Sequence, residues 1–212
     1  MSKRSEIYFL HGNGIHPKAY RFLDMFSNDY VLKKPLMRLF WDDIPKEPIN
    51  DWNILVDDFL HYISTANMSM EKIGIGHSMG GTILLYSAIK KPDLFSKIIL
   101  LDPVLFSPFK CKLWSLIRKF GLGLYFHPLA KKTMIRKKEF NSLESIFKRY
   151  RDYKTFQYFK DESLKYYINS IFSENNKNFK INYSTKLEVD FYLSALTLEP
   201  FIFKNLDKIK SK

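Results

Sequence analysis

The hexapeptide Gly76-His77-Ser78-Met79-Gly80-Gly81 constrains what this chain can fold into more than any other feature. Residues 72–76 before it read as a strand, and residues 79–90 after it carry apolar side chains at helical spacing until Pro92. A serine held between a strand and a helix sits on a tight, strained turn that exposes its hydroxyl. Side chains at Gly76 and Gly80 would meet neighbouring backbone, so glycine flanks the turn on both sides. The serine also lies at a helix start, where the positive end of the dipole favours a developing anion. A chain built around this turn needs strands that end where helices begin.

The first half supplies them. Residues 7–10 are an apolar run ending at His11-Gly12, as a buried parallel strand does. Ala19, Phe22, Leu23 and Phe26 predict a helix over residues 17–27, and a second strand opens at residues 30–32. Trp52, Leu55, Val56, Phe59, Leu60 and Ile63 form one stripe, which predicts a helix over residues 51–64. Residues 97–101 are a further strand, followed by Asp102-Pro103. This alternation predicts the α/β class, a mostly parallel sheet flanked by helices.

No comparable strand is predicted after residue 107. Three helices are: Leu143, Ile146, Phe147 and Tyr150 behind Ser142; Leu164, Tyr167, Ile168 and Ile171 behind Asp161; and Leu187, Phe191, Ala195 and Leu198, ended by Pro200. The formal charge of +12 also arises here. Residues 1–107 hold 12 Lys/Arg and 12 Asp/Glu, whereas residues 108–212 hold 22 and 10, so the two halves differ in kind.

The turn His11-Gly12-Asn13-Gly14 follows the first strand, beside the serine's turn at the carboxyl edge of the sheet. Its glycines let a backbone N–H approach a substrate. The N–H groups of Asn13 and Met79 would together form an oxyanion hole. Tyr20-Arg21, Trp52 with Asp57-Asp58, and Leu101-Asp102-Pro103-Val104-Leu105-Phe106 complete a pattern that resembles the single-domain α/β-hydrolase family. It resembles in particular bacterial members with an HGNGFP opening followed by a tyrosine. The resemblance implies a serine hydrolase cleaving an ester or amide, with residues 1–107 as the hydrolase core and residues 108–212 as a helical cap. Ser78 is then the nucleophile of an acyl-enzyme mechanism, within a motif of His11, Gly12, Gly14, Gly76, His77 and Gly80. No metal and no cofactor is implied.

A serine nucleophile needs a base, and the base an orienting acid. In the family these follow later strands, and the chain reads as a partial α/β-hydrolase fold truncated before them. That would leave residues 97–101 at an unprotected sheet edge and favour self-association. Asp102, at the end of the strand next to the serine's, is the candidate acid, beside the alternative of a plain turn aspartate before Pro103. His127, before Pro128 in the cap, is the candidate base, beside a packing role. His16 is placed to line the pocket; His61 reads as surface or core, and Asp42 and Asp43 as a solvated turn.

Lys110, Lys112, Arg118, Lys119, Lys131, Lys132, Arg136, Lys137 and Lys138 surround an apolar stretch with Trp114, Phe120, Tyr125 and Phe126. Such a cap suits an ester or lipid-like small molecule and peripheral contact with an anionic membrane, or else lysines that are merely solvated. Nucleic acid is disfavoured, because no recognised motif for it is present. The sole cysteine, Cys111, reads as an apolar residue in a reducing compartment. The opening residues, with Lys3 and Arg4, lack a signal-peptide core, and no run of 18 apolar residues exists, which together predict a cytoplasmic protein. The function expected is a serine hydrolase of carboxylic esters with an apolar acyl part. The second reading is an inactive, truncated hydrolase that binds a small ligand or lipid, or a non-functional remnant. The oligomeric state stays open.

Overall fold

The computed structural model describes residues 5–43, 49–65 and 70–211, so Lys3 and Arg4 lie outside the described residues. Four strands, β1 (Glu6–Leu10), β2 (Val31–Lys33), β3 (Lys72–His77) and β4 (Lys97–Leu101), form a sheet in the order β2-β1-β3-β4. Every pairing is parallel. Alternation along β1 decides which face each side chain serves. Tyr8 and Leu10 join the main core, with Leu55, Val56 and Phe59 of helix α1 (Asn53–Ser64) and Ile83 and Leu84 of α2 (Met79–Lys90). Ile7 and Phe9 face the other way, against Leu23 and Ile75. Both faces are covered, which is why the strand reads as a continuous apolar run.

Leu10 pairs with Gly76, and His77 with Leu101, so three strands end together. That shared edge brings the turns after β1, β3 and β4 side by side. β4 lies at the end of the sheet, with Ile99 41% exposed.

Three expectations need correcting. Residues 17–27 are not an α-helix but two 3-10 turns, Pro17–Ala19 and Arg21–Phe26. Between them Tyr20 adopts φ −90°, ψ 60°, which interrupts the helix, and Phe22 is exposed. The second half does contain strands: β5 (Glu139–Phe140), β6 (Phe172–Asn175) and β7 (Asn178–Ile181) form an antiparallel sheet in the order β5-β7-β6. Lastly, Pro200 begins a helix rather than ending one, since it occupies the first turn of Glu199–Lys204, where a missing N–H costs nothing.

After β4 come helices α3 (Pro108–Lys119), α4 (Gly123–Phe126) and α5 (Pro128–Met134). Helices α6 (Leu143–Arg151) and α7 (Asp161–Ile171) follow, and Ser142 caps α6 by accepting from Ser145 N–H. With the small sheet they enclose a second core around Tyr150, Leu164, Ile168 and Phe172. Helix α8 (Thr185–Leu193) and α9 (Glu199–Lys204) return to the main core through Phe191, Leu198 and Ile202. The indole N–H of Trp52 donates to the Phe191 carbonyl at 3.0 Å, tying α1 to α8. No helix among the described residues is long and apolar enough to cross a membrane.

Candidate active site

The serine's turn has the geometry that its sequence demands. Ser78 sits at φ 52°, ψ −121°, a conformation that L-residues adopt only under strain. Its N–H donates to the Leu101 carbonyl at 2.9 Å, and its own carbonyl accepts from Gly81 and Thr82, the first turn of α2. A Cβ on Gly80 would stand 2.3 Å from the Leu10 carbonyl oxygen, and one on Gly76 2.6 Å from that of Gly80. Backbone lies directly on backbone there, so both positions require glycine.

The same close approach brings the other turn to the serine. A Cβ on Gly12 would lie 2.9 Å from His77 Nδ1 and 3.4 Å from Ser78 Cβ. Among the described residues, neither the Asn13 nor the Met79 N–H has an acceptor, and Ser78 Oγ has no hydrogen-bond partner. Ser78 is half-buried.

Tyr20 holds the two turns in register. Its hydroxyl accepts from Gly12 N–H at 3.0 Å and is hydrogen-bonded to Nδ1 of His77, 2.9 Å away. Burial lowers the His77 pKa. His11 is fully buried beneath the turn. Its Nε2 accepts from Met37 N–H at 3.1 Å, so its proton is on Nδ1, directed at the Gly12 carbonyl. Burial pushes the His11 pKa down to about 4, and the ring is neutral.

A buried ion pair supports the turn from the α8 side. Glu188 on α8 pairs with Arg136, and its carboxylate also accepts from the Tyr183 hydroxyl at 2.9 Å. Arg136 donates to that hydroxyl at 3.0 Å. The Glu188 carbonyl accepts from Asn13 Nδ2 at 3.0 Å, and the Gly14 carbonyl accepts from the Tyr167 hydroxyl at 3.2 Å. Burial raises the Tyr167 and Tyr183 pKa values further above the phenol range, so both are neutral donors. Glu188 and Tyr183 escape a reading of the sequence, and Arg136 reads there as a surface cation. Arg136 lies 47 residues from Tyr183 and 52 from Glu188, with no local spacing to reveal the cluster.

None of the remaining candidates is hydrogen-bonded to Ser78. Asp102 follows β4 at φ 45°, exposed, and makes no hydrogen bond among the described residues; its charge reaches His77, whose pKa it raises slightly against the burial. His127 caps α5, accepting from Ala130 N–H at 3.3 Å, between the rings of Trp114 and Tyr192. His16 Nδ1 accepts from Lys18 N–H, and its ring meets Phe40. His61 and Asp43 are exposed, and Asp42 lies on the rim of a 620 Å³ cleft that His16, Phe40 and Tyr183 also line. A second cleft, of 330 Å³, is apolar, with Leu10, Met37, Leu55 and Phe59 in its wall. Cys111 is buried and lacks a disulfide partner. Among the described residues no group of three or more His, Cys, Asp or Glu is placed to hold a metal ion.

Rat (Rattus norvegicus) monoglyceride lipase is 28% identical over 111 residues, which cover 47% of this chain and 35% of the lipase. The chain thus spans about a third of that curated relative. Among solved structures, E-2-(acetamidomethylene)succinate hydrolase superposes with a TM-score of 0.75 at 12% identity, covering 98% of this chain and 70% of that one. A peroxisomal α/β-hydrolase of Saccharomyces cerevisiae gives 0.65 at 17% identity, covering 99% and 61%. The thioesterase domain from the curacin biosynthetic pathway gives 0.71 at 14%, covering 100% and 74%. The model of the alpha/beta hydrolase fold family matches residues 39–178, more than half of the 212. The chain belongs to the α/β-hydrolase fold family.

Proposed function

We propose that this chain is the catalytic portion of a serine hydrolase acting on carboxylic esters with an apolar acyl part. Ser78 Oγ attacks the ester carbonyl, the alcohol leaves, and water releases the acid from the acyl-enzyme. The N–H groups of Met79 and Asn13 receive the oxyanion. The observation that carries this reading is the strained Ser78 turn, with Gly12 against it and both amides free of acceptors. The likeness to a monoglyceride lipase supports an ester as the bond cleaved. Asp102, whose charge reaches His77, follows the strand paired with the serine's own.

One observation favours a second reading, a hydrolase fold that binds an apolar ester or lipid without cleaving it. Among the described residues no histidine is hydrogen-bonded to Ser78 or Asp102, and the Nδ1 atoms of His11, His16, His77 and His127 are all engaged. Intact mass after treatment with a fluorophosphonate separates the two, since such probes report an activated serine. The hydrolase reading expects a single adduct that is lost in Ser78→Ala and in denatured protein. A folded sample that takes up no adduct would overturn it in favour of the binding protein.

A further inference from the structure

The outer face of the α3–α5 segment has no part in the chemistry above, and its composition is unusual. Residues 108–138 contain nine Lys/Arg and no Asp or Glu. Two of the nine turn inward: Arg118 donates to the Asn50 carbonyl, and Arg136 pairs with Glu188. The other seven are exposed lysines, and none of them is in an ion pair among the described residues.

Helix α3 is apolar on two opposite sides. Cys111 and Trp114 are buried. Phe109, Leu113, Leu116 and Phe120 all point to solvent, with Phe109 75% and Phe120 68% exposed. At about 100° of turn per residue these four fall within an arc of about 60°. Lys112 and Lys119 border that arc on one side and Lys110 on the other. Helices α4 and α5 pack on in succession and add exposed Tyr125, Phe126, Leu129 and Met134. Monomeric proteins rarely leave apolar surface of this extent bare without a partner.

The charge identifies the partner as anionic. Two copies of this face would bring two sets of lysines together with no acid between them, so self-pairing is opposed. The exposed aromatics Phe109, Phe120, Tyr125 and Phe126 suit bases and lipid alike, but the aliphatic side chains of Leu113, Leu116, Leu129 and Met134 interleaved with them suit acyl chains and not bases, which favours lipid. We propose that the outer face of α3, extended by α4 and α5, docks the protein on an anionic lipid bilayer. Its apolar stripe enters the headgroup region, and the lysines meet lipid phosphates. The surface would hold the protein where apolar esters reside, and it operates whether or not Ser78 is active.

Co-sedimentation of the whole chain with vesicles tests this. Binding is expected to phosphatidylcholine vesicles containing about a third phosphatidylglycerol, weakly or not at all to pure phosphatidylcholine, and to fall steeply between 0.1 and 0.5 M NaCl, as surface charge attraction is screened. Each lysine near the surface is worth about fivefold in binding. Lys131→Gln/Lys132→Gln should therefore bind about 25-fold more weakly, and Leu116→Ser/Phe120→Ser at least about tenfold more weakly. All four positions are exposed, and circular dichroism would verify that the variants fold. Ser78→Ala should sediment like the unaltered chain, which separates this outcome from that of the hydrolase reading. Absence of sedimentation with anionic vesicles, or equal binding to both compositions, would overturn the proposal. So would a dimer in sedimentation velocity that Leu116→Ser/Phe120→Ser dissociates, or tighter binding to single-stranded RNA than to vesicles at equal phosphate.

Discussion

Replacing Glu188 with alanine should strongly destabilise this fold, and the structure gives the size of the effect. Its carboxylate is buried, with a side chain 3% exposed, against an Arg136 side chain 12% exposed. Removing one partner of such a pair strands the other charge and costs about 3–5 kcal/mol. Arg136 retains its bond to the Tyr183 hydroxyl, which places the cost near the lower end. For a chain of this length, about 3 kcal/mol lowers Tm by about 6–12 °C. Thermal and urea melts followed by circular dichroism would measure it, with Arg136→Met and the double variant Glu188→Ala/Arg136→Met completing a cycle. The double variant should be more stable than Glu188→Ala, because it leaves no unpaired charge. A Glu188→Ala protein within about 1 kcal/mol of the unaltered chain, or singles that simply add, would refute the reasoning.

Gly80→Ala forces a methyl onto the backbone of Leu10 and His11 and should cost about 3 kcal/mol or prevent folding, whereas Gly121→Ala, with φ +71° but open space around it, should cost only about 1 kcal/mol; urea midpoints compare them. Tyr20→Phe leaves Gly12 N–H without its acceptor, an expected loss of about 1–3 kcal/mol, and should slow labelling of Ser78 by a fluorophosphonate. Acid should weaken the fold through His11. Folded, its pKa is about 4, against about 6.5 unfolded, so the unfolded chain binds an extra proton between those values. Stability from this group is complete above pH 6.5 and declines by about 3 kcal/mol as pH falls to 4, which urea melts at stepped pH would show. A His11→Asn variant that keeps the same slope would refute it.

What the sequence reveals here depends on whether the cause is local. The Ser78 turn is legible because its strain dictates its immediate neighbours, Gly76 and Gly80. The strands β1 and β3 are legible because burial on both faces requires apolar runs. Residues 17–27 mislead because a distant requirement prevails: the Tyr20 hydroxyl has to reach Gly12 and His77, and the backbone gives up a helix to place it. The β6–β7 hairpin did carry a signal. Asn176 and Lys177 both have positive φ, as a two-residue hairpin turn requires, but lysine stands where glycine would have made the turn plain. The Glu188–Arg136 pair had none, since 52 residues separate the partners.

The ties between α7, α8 and the turn after β1 bear on how such a protein can be re-engineered. The region from α7 to α8 is not a freely interchangeable module. Asn13 is held by the Glu188 carbonyl and Gly14 by the Tyr167 hydroxyl, so the turn beside Ser78 is anchored to α7 and α8. A replacement segment without equivalents of those two groups would leave Asn13 Nδ2 and the Gly14 carbonyl to find new partners. Substitutions in this region are therefore best made around a fixed frame of Glu188 and Tyr167.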